Sequence, residues 1–162
     1  MRIIVLSDTH GEETTVRWLL EQAWKTLGPV DAYLHCGDGA GDFARLENFI
    51  RARDEHTLLY GVRGNCDFAA GHPDRLVVPF GGLKIYMTHG HIHRVKSGLD
   101  DLQSAALEAG ADIALYGHTH RADVEYSTPW LVNPGAVEND CCALLEVEGA
   151  KPHVKLINLG FH

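Results

Sequence analysis

A short unbroken apolar run, Ile3-Ile4-Val5-Leu6, stops abruptly at Ser7-Asp8-Thr9-His10. Consecutive apolar residues with β-branched side chains predict a strand covered on both faces, and such strands belong to parallel or mixed sheets packed between other layers. No other feature constrains the fold as tightly, and it recurs. Residues 31–36 (DAYLHC), 57–62, 83–87 and 112–116 are further strand candidates, each running into a segment rich in Gly, Asp, Asn or His. In extended backbone, residues i and i+2 point to the same side. Asp8 and His10 are therefore expected to leave the strand end aimed at one point.

Between these strands the apolar period changes. Residues 13–27 place Val16, Leu19, Leu20, Ala23, Trp24 and Leu27 on one face of a helix that Gly28-Pro29 terminates. A second helix is expected at 43–53, with Phe43, Leu46, Phe49 and Ile50 inward and Asp42 as its N-cap. A third spans 99–109, burying Leu102, Ala105, Ala106 and Ala109. The chain closes with strand-like segments at 122–127, 130–133, 141–147 and 153–159, with a turn at Asn133-Pro134-Gly135. Alternating strands and helices followed by antiparallel-looking strands predict an α/β domain. Helices should cover mixed sheets, with functional loops at the carboxyl ends of the parallel strands.

A length of 162 residues fits a single domain spanning 1–162. The four cysteines, Cys36, Cys66, Cys141 and Cys142, have no Cys-x-x-Cys spacing, and the N-terminal apolar run is too short for an export signal. Reduced thiols in a cytoplasmic protein are the expectation. A formal charge of −8 argues against polymeric nucleic acid or an anionic membrane as partner. The histidines point elsewhere. Of eleven, His89, His91 and His93 form one cluster and His118 and His120 another.

Weighed one by one, these residues divide. Asp38, just past a strand end among glycines, reads as a ligand, whereas Asp42 reads as structural. Asn65 after Gly64 is in isolation a left-handed turn residue. His35 reads as a packed core imidazole, while His56, His72, His153 and His162 read as surface residues. Asp67 either orients a ligand imidazole or caps a turn, and Arg63 either helps hold a phosphate or is solvated.

Five ordered motifs together resemble the calcineurin-like metallophosphoesterases: Asp8-x-His10, Gly37-Asp38, Gly64-Asn65-Cys66-Asp67, His89-Gly90-His91 and Gly117-His118-Thr119-His120. The chain is similar to the small, cap-less phosphodiesterase branch of that superfamily, and Asn133-Pro134-Gly135 also fits. The resemblance implies a four-layer αββα sandwich with two central mixed sheets. It further implies two divalent metal ions, one held by Asp8, His10 and His120, the other by Asn65, His89 and His118, with Asp38 bridging. Imidazole, carboxylate and amide donors suit Mn²⁺ first, with Fe, Zn²⁺ or Ni²⁺ as alternatives.

On that footing the expected activity is hydrolysis of small phosphate diesters by attack of a metal-bridging hydroxide. Related phosphatases place a histidine where this chain has Cys66, so the proton for the leaving oxygen must come from elsewhere. His91 is the first candidate and His93 the second; the alternative role for His91 is to support a ligand. Two further functions stand beside this one: a non-catalytic binding scaffold on the same fold, and a phosphomonoesterase or nucleotide-directed phosphatase. The length leaves no room for a large cap, so an open site is expected, and exposed sheet edges make a homodimer plausible.

Overall fold

The computed structural model describes residues 1–67 and 71–160. Two five-stranded sheets lie face to face. The first has the order β10 (Lys151–Asn158), β9 (Cys141–Glu148), β1 (Arg2–Leu6), β2 (Ala32–His35) and β3 (Leu58–Gly61). Its β1, β2 and β3 run parallel, with Ile3 opposite Ala32 and Ala32 opposite Leu58. β9 runs antiparallel to both β1 and β10. The second sheet has the order β4 (Arg75–Phe80), β5 (Leu83–Thr88), β6 (Ile113–Leu115), β8 (Trp130–Asn133) and β7 (Asp123–Glu125). There β5, β6 and β8 are parallel, and the edge strands β4 and β7 are antiparallel to their neighbours.

The unbroken apolar run of β1 now has its reason. Ile3 and Val5 face the other sheet, meeting Ile85, Ile113 and Val132, with Leu145 of the neighbouring β9 on the same inner face. Ile4 and Leu6 face outward, onto Val16, Leu19 and Leu20 of α1 (Glu13–Leu27) and Leu46 and Ile50 beside α2 (Ala40–Arg45) and α3 (Glu47–Arg51). All four are fully buried, each burial contributing roughly 1.5–3 kcal/mol. Across the second sheet, Tyr86, Ala114 and Leu131 meet Leu102 and Ala106 of α4 (Asp100–Glu108). The layers therefore run helix, sheet, sheet, helix, as the resemblance implies. No described helix is long and apolar enough to cross a membrane.

Two expectations are corrected. The helix predicted at 43–53 is two short helices meeting at Leu46, whose backbone (φ −86°, ψ −1°) turns the chain so that Phe43, Leu46 and Ile50 are all buried. Asp42 consequently lies inside α2 and caps nothing; its carboxylate serves a neighbouring loop instead. β4, which contains Pro79, has no counterpart among the expected strands. It is an edge strand, where a missing N–H is tolerated, and Leu76, Val78 and Phe80 still alternate inward.

Candidate metal centre

Beyond Leu6, the end of β1, the chain is not extended as the sequence suggests. Asp8 (φ 56°) and His10 (φ 46°) are both left-handed, as are Asp38 (φ 55°), His118 (φ 70°) and His120 (φ 61°). The convergence of Asp8 and His10 therefore owes nothing to strand alternation. A left-handed non-glycine residue costs about 1–2 kcal/mol, and such strain persists only where the surroundings enforce it. Here they do. Asp8 N–H donates to Gly37 O (2.9 Å), His10 N–H to Asp38 O (3.0 Å) and Gly11 N–H to the Asp42 carboxylate (2.6 Å).

These loops bring six of the seven predicted donors together. Asp8, His10 and His120 offer ligand atoms within 4.8 Å of one another, and so do Asp38, His89 and His118. Asp8 Oδ2 accepts from Ser7 Oγ (2.6 Å) and the His118 amide (3.1 Å). Its other oxygen, Oδ1, is buried without any hydrogen-bond partner and faces His120 Nε2 (3.2 Å) and His10 Nε2 (3.5 Å). Leaving a carboxylate oxygen dry and unpaired costs several kcal/mol unless a cation meets it. Asp38 divides its oxygens likewise: Oδ1 accepts from the Cys66 amide (2.8 Å), while Oδ2 lies between His89 Nε2 (3.3 Å) and His10 Nε2 (3.8 Å). One carboxylate oxygen thus faces both donor groups.

The imidazoles are held from behind. His89 Nδ1–H donates to Cys36 O (2.8 Å), which turns Nε2 toward Asp38 Oδ2 (3.3 Å). His120 Nδ1–H donates to Glu138 (2.9 Å), which turns its Nε2 toward Asp8 Oδ1 (3.2 Å). Glu138 has no sequence signal, since it lies in a separate helical turn after β8. Asn133 grips the 117–120 loop through Gly117 O (3.2 Å) and Thr119 Oγ1 (3.0 Å). Asp67 settles its two readings by capping: its carboxylate accepts from the amides of Asp38, Gly39 and Gly64, each at 2.9 Å. His35 accepts from Gly37 N–H (3.0 Å) at Nδ1, so its proton sits on Nε2, 3.2 Å from Thr9 Oγ1, which donates on to Asp42. Burial pushes His35 down to about 4, fitting a neutral structural imidazole.

The electrostatics favour a cation. Burial opposes charge on Asp38, but hydrogen bonds from His89 and Cys66 outweigh it and hold the carboxyl well below the usual range. His89 is raised: burial disfavours its charged form, yet bonding to Asp38 and the charges of Asp8 and Asp38 prevail. Burial, together with His89 and Lys96, pushes His118 down to about 4.

The remaining candidates fall as follows. Asn65 is exposed, its Nδ2 3.6 Å from Cys66 Sγ. His91 is half-buried beside His89, ring centroids 5.5 Å apart, and its Nδ1 is buried without a partner. His93 turns away, its Nε2 bonded to Tyr86 Oη (2.8 Å). Arg63 pairs with Asp74 (2.8 Å). His56 and His153 are exposed, His72 is half-buried against Gly61, and His162 lies outside the described residues.

Comparisons with known proteins bear on the family and the fold. The family model of the calcineurin-like phosphoesterase superfamily domain matches residues 1–150. The probable metallophosphoesterase YsnB of Bacillus subtilis is 36% identical over 138 residues, covering 85% of this chain and 75% of that protein. A conserved uncharacterized protein of Streptococcus pneumoniae, a predicted phosphoesterase, superimposes with a TM-score of 0.76 at 32% identity, over 97% of this chain and 88% of that one. An archaeal phosphodiesterase shares the fold, with a TM-score of 0.72 at 22% identity over 97% of this chain and all (100%) of that one.

Proposed function

Since the chain belongs to the calcineurin-like phosphoesterase superfamily, we propose that it hydrolyses small phosphate diesters with two divalent ions, manganese first among them. The observation that carries this reading is the pair of carboxylates: Asp8 Oδ1 is buried and unpaired, and Asp38 Oδ2 faces both His10 and His89. Asp8, His10 and His120 would hold one ion and Asn65, His89 and His118 the other, with Asp38 shared. When bound, the ions supply an activated water and compensate charge on the phosphoryl oxygens.

The protein's own groups do the rest. Ser7 and the His118 amide turn Asp8, and Cys36 O and Glu138 fix the ring orientations of His89 and His120. His91 is assigned the proton for the departing oxygen, because its ring sits beside His89 with an uncommitted nitrogen, whereas His93 is committed to Tyr86. His10, Asn65 and Cys66 are exposed at the rim, which suits a small ester entering from solvent. The archaeal phosphodiesterase of the same fold supports a diester over a monoester. Four free cysteines suit a reducing, cytoplasmic setting.

The test is metal content and hydrolysis of bis-p-nitrophenyl phosphate after stripping and reloading with Mn²⁺. Wild-type protein is expected to take up two ions and turn over. Asp38→Ala is expected to lose bound metal and at least about a hundredfold in kcat/KM. A folded wild-type protein that binds no ion and hydrolyses nothing would instead be a binding scaffold.

A further inference from the structure

We propose that Cys66 is itself a donor to this centre: its thiolate joins His10 and the shared Asp38 on a thiophilic divalent ion such as Zn²⁺ or Cd²⁺. The inference rests on the two-metal reading above. Ligand atoms of His10, Asp38 and Cys66 lie within 4.8 Å of one another, a third group overlapping the other two. One imidazole nitrogen, one carboxylate oxygen and one sulfur, with an open side toward solvent, is the donor set of an accessible zinc site.

The sulfur does not swing freely. The Cys66 amide donates to Asp38 Oδ1 (2.8 Å), and the thiol donates to the same carboxylate. Asp67 ties this turn to the Asp38 loop through the amides of Gly64, Asp38 and Gly39. The sulfur also lies 3.6 Å from Asn65 Nδ2. On binding, the S–H bond breaks, its proton passes to solvent and the electron pair forms the sulfur–metal bond. An independent observation points to a cation on the His10 side: Asp8 Oδ1, fully buried and unpaired, faces His10 Nε2 at 3.5 Å.

Donor softness then gives the consequence. A thiolate favours zinc and cadmium and contributes little to manganese. Cys66 would thus bias a centre of otherwise nitrogen and oxygen donors toward soft ions. The other thiols offer no such arrangement: Cys36 and Cys142 are buried, and Cys141 lies at the start of β9 with Sγ 3.5 Å from Asn139 O.

Metal-stripped wild type, Cys66→Ser, Cys66→Ala and the control Cys141→Ser are titrated separately with Cd²⁺ and Mn²⁺. The readouts are near-ultraviolet sulfur-to-metal charge transfer and retained metal. Wild type and Cys141→Ser should develop the cadmium–sulfur band. Both Cys66 variants should lose it, with Cd²⁺ affinity falling at least about tenfold and Mn²⁺ affinity moving less than about threefold. Retained Mn²⁺ binding shows that the variants are folded. A band surviving in the Cys66 variants, or wild type loaded with Cd²⁺ and lacking a band, overturns this inference alone. Wild type that retains neither ion overturns it together with the two-metal reading.

Discussion

Asp8 and Asp38 are each split between a structural oxygen and a free one, and the free oxygens define the centre. His91 sits at the edge of that field. Burial, and then His89, hold its pKa below the ordinary value, so little imidazolium exists at neutral pH. If His91 supplies the leaving-group proton, alkyl diesters should be cleaved faster as pH falls toward that lowered pKa, while p-nitrophenyl esters should not respond in this way. His91→Asn should cut turnover of alkyl diesters about a hundredfold and of p-nitrophenyl diesters less than about threefold. Equal losses would make His91 a support for its neighbours. The side chains that converge, Asp8, His10, Asp38, His89, His118 and His120, were legible, because polar chemistry at strand ends stands out in a sequence. Glu138 and Asn133 were not: their roles depend on loops meeting from distant positions, and neither carries a local pattern.

The elements that matter most are the loops, and their tightness is visible where side chains are missing. A Cβ on Gly64 would overlap Asp38 Oδ1 and the Asp38 backbone nitrogen and lie 2.9 Å from Asp38 Cγ; one on Gly117 would overlap Ser7 Oγ and lie 2.7 Å from Asp8 Oδ2. Backbone cannot yield as a flexible side chain does. Gly64→Ala should cost roughly 1–3 kcal/mol in urea unfolding and weaken Mn²⁺ binding at least about tenfold. Gly41→Ala, within α2 and 3.5 Å from the Arg45 guanidinium, should leave binding unchanged and stability equal or slightly higher. Strands with clean apolar runs, β1 above all, were readable from periodicity. The break at Leu46 was not, because the same apolar spacing continues through it, nor was β4, an edge strand that contains Pro79.

Across the whole molecule, the first sheet contributes Asp8, His10, Asp38 and Cys66, and the second contributes His89, His118 and His120. An ion shared between them pins one sheet to the other at its ligand-bearing edge. Free metal at a hundred times its dissociation constant should add about 2.7 kcal/mol, or roughly 5–10 °C in Tm for a domain of this size. Thermal unfolding with Mn²⁺ and with chelator measures the increment, and His89→Ala should abolish it. The four-layer architecture was foreseeable from strand and helix order; which strands pair was not, since β1 takes β9 as its second neighbour from far along the chain. That late partner carries a consequence for biosynthesis. Every candidate histidine precedes Val137 and β9 in the chain, yet those later residues must dock to close the first sheet beside Ser7. The ligand-bearing loops are thus locked from behind by residues made after them, Val137 against Ser7 and Glu138 against His120.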